Sequence, residues 1–405
     1  MAPIWFLSLL FLSCILLAAF THKKRRKNQQ PPSPPGFPII GNLHQLGELP
    51  HQSLWSLSKT YGPVMLLRLG SVPTVVVSSS ETAKQALKIH DLHCCSRPSL
   101  AELFSVKRVH SIQPIKEEEV KKLIDSATES ASQKSPVNLS EKSLDLTASV
   151  ICKAAFGLSF HSTVLNNDGF DKLIREAFLF LGSFSASNFQ MVAGSSTGSR
   201  GVEDFVDLLL RLEKEETVPG YGKLTRNHIK AILMNVLLGA INTSAMTMTW
   251  AMAELIRNLR VMKKVQSEIR NQMRNQSVIT LDDIDHLPYL NMRSCLNLRS
   301  MAIGRDPESW KDADTFFPER FMENNIDAKG QNFELLPFGS GRRICPGMYM
   351  GTTMVEFGLA NMLYQFDWEL PEGMVVEDID MEESPGLAVG KKNELLLVPV
   401  KYLGH

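Results

Sequence analysis

The chain has 405 residues, 44% of them hydrophobic and 21% charged, so it can bury a large core, and its length alone suggests two or three domains. Basic and acidic residues balance at 43 each, and the formal net charge of zero indicates no polyanionic partner such as a nucleic acid. The six cysteines form no Cys-x-x-Cys pair and no regular framework, which predicts reduced thiols in a cytosol-facing domain.

The N-terminus carries a predicted membrane anchor. An uncharged apolar run of 17 residues extends from Ile4 to Phe20. As a helix it would be about 26 Å long, at the short end for crossing a bilayer. A basic run, residues 22–27, follows directly and should hold that side in the cytoplasm. A cleaved signal peptide is the alternative, but its charges would precede the apolar run. We therefore expect a retained anchor at residues 1–21.

Residues 22–38 form a predicted hinge between this anchor and a large domain at 39–405. Prolines recur between Pro31 and Pro38, and each fixes φ and disfavours helix at the residue before it. The segment should therefore be stiff and extended. A generic proline linker is the alternative interpretation.

The next 160 residues predict short helices around a small sheet. Helix is expected at residues 53–61, 80–89, 109–132, 138–156 and 170–180, and strand at 64–69 and 74–77. We expect Ser140 to cap the helix at 138–156. A Gly/Ser-rich stretch at 194–201 has the composition of a linker. A zinc site among His90, His93, Cys94 and Cys95 is an alternative that their crowding disfavours.

A long helical pattern from Thr225 to Asn258 is apolar on nearly every side, which predicts a buried central helix. Small and hydroxylated residues interrupt it from Gly239 to Ser244. Taken alone, that interruption is compatible with a helix loosened by serine and threonine for packing. Further helices are expected at 260–274, 280–286 and 348–366, and closing strands at Leu387 and at 395–398.

The stretch from Phe338 to Gly347, FGSGRRICPG, needs a chemical explanation, because ordinary packing does not call for that combination. A thiolate at Cys345 can ligate haem iron and push electron density toward bound oxygen. Arg343 offers a planar donor fork to a porphyrin propionate. Gly339 and Gly341 allow positive φ and a close approach to a flat macrocycle.

The residues after the cysteine extend this interpretation. We expect Pro346 at the start of a helix, which would place Cys345 at a helix N-terminus that lowers a thiol pKa. Gly347 would then keep the first turn of that helix small against the ring. The alternatives are a surface turn with a stray cysteine, a phosphate loop or an iron–sulfur site. A phosphate loop ends in Gly-Lys-Ser/Thr, and an iron–sulfur cluster needs several cysteines.

The same stretch fits Phe-x-x-Gly-x-Arg-x-Cys-x-Gly at every fixed position and so resembles the haem signature of cytochromes P-450. The resemblance implies that family's mainly α fold with small β-sheets, here internally truncated and behind an N-terminal transmembrane helix. The implied activity is monooxygenation with haem as cofactor. One atom of O2 enters a small apolar substrate, and electrons come from an NADPH-dependent reductase.

The anchor and its basic, proline-rich hinge resemble those of plant microsomal members. This implies a single-pass protein of the endoplasmic reticulum membrane, in contact with lipid, with its catalytic domain facing the cytosol. The resemblance also implies the cofactor-binding residues, with Cys345 as the metal ligand: Phe338, Gly341, Arg343, Cys345 and Gly347. Thr243 takes the position of a proton-delivery threonine. The resemblance also makes Asn242 a catalytic position in proton delivery, where relatives carry a carboxylate, although an amide cannot relay a proton as an acid.

Three features of the family are not found in the sequence. After Ala101 there is no loop over the pocket and no Trp-x-x-x-Arg helix. Around 194–201 most of two roofing helices are missing, and 291–299 replaces a Glu-x-x-Arg helix and strands. A Glu-x-x-Arg match does occur at Glu254–Arg257, but it lies at the end of the central helix and not where the family has this motif. We interpret Glu254 and Arg257 as an i,i+3 surface pair that stabilises the helix by about 0.2–0.5 kcal/mol.

A Pro-Glu-Arg-Phe segment, 318–321, is present, but its arginine has lost the partners that the family gives it. A buried guanidinium without a carboxylate costs several kcal/mol, so we expect Arg320 to be exposed or to find a substitute acid. The losses also leave two alternatives to turnover: an inactive membrane-anchored remnant of a deleted gene or mis-spliced transcript, and a haem binder without turnover. The substrate is not predicted, because the segments that would line its pocket are the missing ones.

Overall fold

The computed structural model describes residues 30–94, 106–157, 160, 205–214, 224–273, 276, 279–290, 303–313, 315–321, 326–386 and 388–402. The predicted anchor, the start of the hinge, the helix predicted at 170–180, the stretch at 194–201 and Leu387 lie outside these residues. The chain divides into two compact units after Ala83. Each unit is described by itself below.

The first unit is built on a β-hairpin. It contains a 3₁₀ turn (Leu43–Gln45), α1 (Pro50–Tyr61), β1 (Val64–Leu69) and β2 (Val72–Val77). The two strands pair antiparallel, with Leu69 opposite Val72. A two-residue turn joins them, with Gly70 at φ +62°. The predicted helix and strands of this region are confirmed, with α1 starting three residues and β2 two residues earlier than expected.

Asn42 ties the proline-rich segment to the hairpin. Its side chain is buried, donates to the Pro34 carbonyl at 3.2 Å and accepts from the Arg68 backbone N–H at 2.8 Å. Its neighbour Gly41 has φ +61°, and a Cβ there would lie 2.2 Å from the Arg68 carbonyl oxygen. Only glycine fits such an approach, so contact between the backbones of Gly41 and Arg68 fixes the conformation of residues 39–42.

The second unit is mainly helical. The unit begins at the last residue of α2 (Ser80–Lys84). Its N-terminal part comprises a π-helical turn (Gln85–Ile89), α3 (Asp91–Cys94), α4 (Val106–Ser111), α5 (Gln113–Gln133), β3 (Val137–Asn138), α6 (Leu139–Phe156) and α7 (Phe205–Lys214). Its C-terminal part comprises α8 (Arg226–Arg257), α9 (Leu259–Gln272), α10 (Leu281–Ile284), α11 (Met348–Gln365), β4 (Phe366–Glu369) and β5 (Leu396–Lys401). Short 3₁₀ turns occur at Ile303–Arg305, Gly341–Arg343 and Val376–Asp378.

The central helix α8 is confirmed with both predicted boundaries. Thr225 accepts from the His228 N–H, while the His228 ring accepts from the Thr225 N–H, and the helix ends at Asn258. Its apolar residues join those of α5, α6, α9 and α11 in one core. Among the described residues, α8 alone is long and apolar enough to span a membrane. Its packing within this core identifies it as a core helix.

A three-stranded antiparallel sheet, in the order β3-β5-β4, closes the helical unit. It corrects the cap predicted for α6, because Asn138 is the N-cap and its side-chain oxygen accepts from the Glu141 N–H at 3.2 Å. The Ser140 hydroxyl instead accepts from the Leu395 N–H at 3.0 Å. A serine next to a sheet edge therefore satisfies that edge, and the preceding asparagine takes the cap.

Glu254 corrects the predicted surface pair. It is only 3% exposed, and the Asn258 side-chain amide donates to its backbone carbonyl at 2.8 Å. Arg257, its expected partner, is exposed. The interpretation as a solvated i,i+3 pair was therefore wrong, because Glu254 faces the core.

Candidate active site

A cavity of about 890 Å³ is bounded by α6, α8, α11 and the segment that precedes α11. Pockets for small molecules and cofactors have volumes of about 300–1,000 Å³. Apolar side chains supply much of its wall, among them Ile151, Val236, Met350 and Val355. The cavity is therefore large enough for a bulky, mostly apolar ligand.

One wall is a polar stripe on α8. Asn235, Gly239, Thr243 and Thr247 recur every four residues and all line the cavity. The Thr243 hydroxyl donates to the Gly239 carbonyl at 2.5 Å, and the Thr247 hydroxyl donates to the Thr243 carbonyl at 2.8 Å. Because the Thr243 proton is directed at the helix backbone, the hydroxyl oxygen offers its lone pairs to the cavity as an acceptor.

Asn242 is placed differently from Thr243. It is 4% exposed and does not line the cavity. With 3.6 residues per turn, adjacent residues of a helix point in directions that differ by about 100°. The part that the resemblance gives Asn242 in proton delivery stays a prediction.

A second wall is the Cys345 loop, Phe338–Gly347. Gly339 and Gly341 have φ of +71° and +61°, which confirms the positive φ predicted for both. The Cys345 N–H donates to the Phe338 carbonyl at 2.7 Å and closes the loop. Gly341 does not line the cavity, and a Cβ there would lie 2.1 Å from the Leu87 carbonyl oxygen. The close approach that this glycine permits is therefore to the chain's own backbone.

The helix after the cysteine starts later than predicted. Gly347 is the N-cap of α11, and Met348 is its first residue, so the placement of Pro346 at the helix start was wrong by two positions. The reason is a turn, in which the Met348 N–H approaches the Cys345 carbonyl at 3.4 Å before the helix begins. A Cβ at Gly347 would lie 3.9 Å from the Cys345 sulfur. Gly347 thus borders the thiol.

The cavity brings together five of the seven predicted site residues: Thr243, Phe338, Arg343, Cys345 and Gly347. Arg343 is exposed on the cavity wall, and the described part of the chain gives it no hydrogen bond or ion pair. One thiol and one uncommitted guanidinium among apolar side chains suit a flat apolar cofactor that has a metal and carboxylate substituents. The residues present therefore fit haem.

Cys345 differs from the other described cysteines. Cys94 is exposed, and Cys152 is buried in the core, where burial raises the pKa of its thiol to about 11. Cys345 is the member of the three that lies on the cavity wall. Among the cysteines that the structure describes, Cys345 is therefore the one that can supply a thiolate to the cavity.

Arg320 contradicts the expectation that it would be exposed or paired with a new acid. It is 9% exposed, and its guanidinium donates to the carbonyls of Phe317, Asp312 and Thr315 at 3.2, 2.9 and 2.7 Å. It also lies over the ring of Trp310, 5.9 Å from the centroid. Burial lowers the pKa of Arg320, and the charge of Asp312 partly opposes that shift. The described residues give Arg320 no ion pair, and three backbone carbonyls with an aromatic face satisfy the guanidinium.

Sequence reasoning missed several residues of the cavity. On α8, Asn235 and Gly239 share the four-residue spacing of Thr243 and Thr247, so a helical wheel would have found them. On α6, Thr147, Val150 and Ile151 also line the cavity. No local signal distinguishes them, because they read as ordinary core residues of an amphipathic helix.

Comparison with known proteins identifies the family of the chain. The model of the cytochrome P450 family matches residues 31–101, 193–293 and 296–398. Arabidopsis thaliana has relatives named cytochrome P450 71B9, 71B37 and 71B36, which are 71%, 62% and 62% identical to the chain. Each alignment covers 100% of both proteins, and the first extends over 500 positions.

The family match covers well over half of the chain, and the relatives align along its whole length. Members of this family are haem monooxygenases with a cysteine thiolate ligand to the iron. The α8 wall and the Cys345 loop of the cavity lie within the matched residues, whereas its α6 wall does not. The chain belongs to the cytochrome P450 family.

Proposed function

We propose that this chain is a haem-thiolate monooxygenase that acts on a small apolar substrate. The observation that carries the proposal is the placement of Cys345 and Arg343 on the same cavity as Thr243. Cys345 would ligate the iron, Arg343 would hold a propionate, and Phe338 and Gly347 would border the ring. When bound, haem supplies the activation of O2 for insertion of one oxygen atom into a C–H bond.

The residues of α8 would handle water and protons. Because the Thr243 hydroxyl donates to Gly239, its oxygen can accept a hydrogen bond and hold a water molecule in the cavity. Thr247 satisfies the Thr243 carbonyl in the same way, which fixes the backbone there. The apolar residues Val236 and Ala240 would exclude bulk water from the neighbouring wall.

Electrons would come from an NADPH-dependent reductase on the same membrane. The apolar run at residues 4–20, followed by basic residues, supports a single-pass anchor in the endoplasmic reticulum with the catalytic domain in the cytosol. Relatives that align from end to end with this chain are plant cytochromes P450, which supports this placement.

The test is the spectrum of the reduced protein with carbon monoxide. The full chain, expressed with haem supply and purified in detergent, should give the red-shifted Soret band of thiolate-ligated haem. Cys345→Ala should lose that band, whereas Cys94→Ala, which changes an exposed cysteine outside the cavity, should keep it. A Cys345→Ala variant with the parent's spectrum would refute the proposal.

A haem binder without turnover is the second candidate. The alignment with cytochrome P450 71B9 has 500 positions against 405 residues in the chain, so at least 95 positions have no counterpart here. Breaks in the family match after residues 101 and 293 fall where the sequence lacks a pocket loop and a Glu-x-x-Arg helix. NADPH oxidation and substrate loss with a reductase present separate this candidate from the enzyme, and loss of all haem binding would indicate the inactive remnant.

A further inference from the structure

The Cys345 loop is held from two sides by different parts of the chain. On one side Phe338 packs against an apolar cluster of Trp310, Phe321, Ala328 and Leu335. On the other side the loop contacts the segment Gln85–Cys94, which contains the π-helical turn and α3. The second contact involves no residue of the family signature except Gly341.

Two interactions form this second contact. The Arg342 guanidinium Nε donates to Asp91 Oδ2 at 2.7 Å, joining residues 251 positions apart in the sequence. Next to it, Gly341 lies so close to the Leu87 carbonyl that a Cβ would come within 2.1 Å of its oxygen. The pair is partly shielded, since the Asp91 side chain is 24% exposed and that of Arg342 is 56% exposed.

The Arg342–Asp91 pair lies close in sequence to two residues of the cavity wall. Arg342 belongs to the 3₁₀ turn Gly341–Arg343, and its neighbour Arg343 lines the cavity. Cys345 follows Arg343 by two residues, and its N–H donates the hydrogen bond to the Phe338 carbonyl that closes the loop. Motion of the turn would therefore move both Arg343 and Cys345 relative to α8.

We propose that Asp91 is a positioning residue for the Cys345 loop. Its ion pair with Arg342 holds Gly341 against the Leu87 carbonyl and so fixes the positions of Arg343 and Cys345 on the cavity wall. The Arg320 guanidinium binds backbone carbonyls of residues 312, 315 and 317, which lie outside this loop. The ion pair thus supplies a polar brace from α3.

The first test does not depend on haem. Trypsin cleaves after Arg343, and the loop must open to enter the protease. In the haem-free full chain, Asp91→Asn should raise the rate of cleavage after Arg343 about twofold to fivefold, which corresponds to ~0.4–1 kcal/mol, the range of an exposed ion pair. Asp125→Asn is the matched control, since it breaks the exposed Lys121–Asp125 pair at 2.7 Å far from the loop in sequence.

The charge-reversed double variant Asp91→Arg with Arg342→Asp separates pairing from simple loss of a residue. Arg342→Asp alone is the reference for the double variant, because an acidic residue beside Arg343 slows trypsin by itself. If the pair braces the loop, the double variant should be cleaved after Arg343 more slowly than Arg342→Asp alone, and Asp91→Arg should be cleaved faster than the parent. Equal cleavage rates in the parent, Asp91→Asn and Asp125→Asn would overturn the proposal.

The second test rests on the proposed function, because it requires bound haem. At equal total haem, Asp91→Asn should lower the ratio of thiolate-ligated to other haem in the carbon monoxide spectrum by about twofold to fivefold. An unchanged ratio alongside a normal parent spectrum would overturn the positioning role alone. A parent without any thiolate band would overturn the proposed function and leave the protease result to decide the role of Asp91.

Discussion

Lys116 offers a direct test of how this fold tolerates a buried charge. It lies on α5, is 1% exposed, and donates to the Thr353 hydroxyl oxygen on α11 at 2.7 Å. Thr353 in turn donates to the Tyr349 carbonyl at 2.8 Å. An ammonium has three donors, and within the described residues Thr353 is the acceptor that the structure gives it. Burial accordingly lowers the pKa of Lys116 to about 8.

The direction of the pH effect follows from this shift. Below pH 8 the lysine is charged in both the folded and the unfolded chain, and the fold bears the full cost of burying the charge. Between pH 8 and the pKa of 10.5 of an ordinary lysine, the unfolded chain binds more protons. The free energy of unfolding must therefore rise with pH across that window.

The magnitude follows from the size of the shift. A shift of about 2.5 units, at 1.36 kcal/mol per unit, corresponds to roughly 3 kcal/mol. Lys116→Met removes the charge, keeps a long flexible side chain, and loses the bond to Thr353, which is worth about 1–2 kcal/mol. We expect the variant to be more stable than the parent by about 1–2 kcal/mol at pH 7. The advantage should shrink as pH rises toward 10.5 and become a small loss.

Urea unfolding of the full chain in detergent from pH 7 to pH 10.5 measures this difference. Subtracting the variant curve from the parent curve removes the titration of every other group. Lys121→Met is the control, because it changes a lysine on the same helix whose side chain is 69% exposed. Its free energy of unfolding should differ little from that of the parent at every pH in this range. A Lys116→Met variant that is less stable at pH 7, with a difference that does not change with pH, would refute the reasoning.

Two further predictions test the loop and the adjoining ion pairs. Gly341→Ala should cost more than about 2 kcal/mol of stability, because the clash with Leu87 adds to strain at positive φ. Gly373→Ala, at φ +84° with no atom within 4 Å, should cost only the strain of about 1 kcal/mol in the same urea titration. Burial alone raises the pKa of Glu319, but hydrogen bonds from Arg260, Tyr289 and Lys264 outweigh it and hold the pKa at about 2. Since an unfolded Glu titrates near pH 4.3, this stability is present above that pH and is lost as pH falls toward 2. After discounting for its exposed partners it amounts to about 1–2 kcal/mol. Glu319→Gln should therefore flatten the acid limb of the stability profile, and Glu382→Gln, from an exposed pair with Lys392, should not.

Local chemistry accounts for the parts of the fold that could be predicted. Thr225 and Asn258 bound α8 because caps depend on neighbours three or four residues away. Gly339 and Gly341 have positive φ because the turn requires it within the loop itself. The signature likewise placed Cys345 and Arg343 on one wall, since their spacing is fixed by a short, hydrogen-bonded loop.

Contacts between distant segments account for what the sequence did not predict. The sequence around Ser140 is compatible with a cap, but the Leu395 N–H, one residue before β5, donates to the Ser140 hydroxyl, and Asn138 is the cap. Glu254 has a charged neighbour at i+3, yet the core side of α8 decides its burial. The contact between Gly341 and the Leu87 carbonyl joins positions 254 residues apart, so no local sequence pattern could predict it.

The segment 318–321 shows how a motif can keep a bracing role after its ionic partners change. Glu319 points to α9 and pairs with Arg260 at 2.8 Å, while the adjacent Arg320 turns inward to backbone carbonyls. Phe321 enters the apolar cluster against which Phe338 packs. The segment therefore links α9 to the Cys345 loop through an ion pair at one end and aromatic packing at the other. Because the aromatic end is buried and unscreened by salt, raised ionic strength should weaken the hold of Glu319 on α9 before it loosens Phe338.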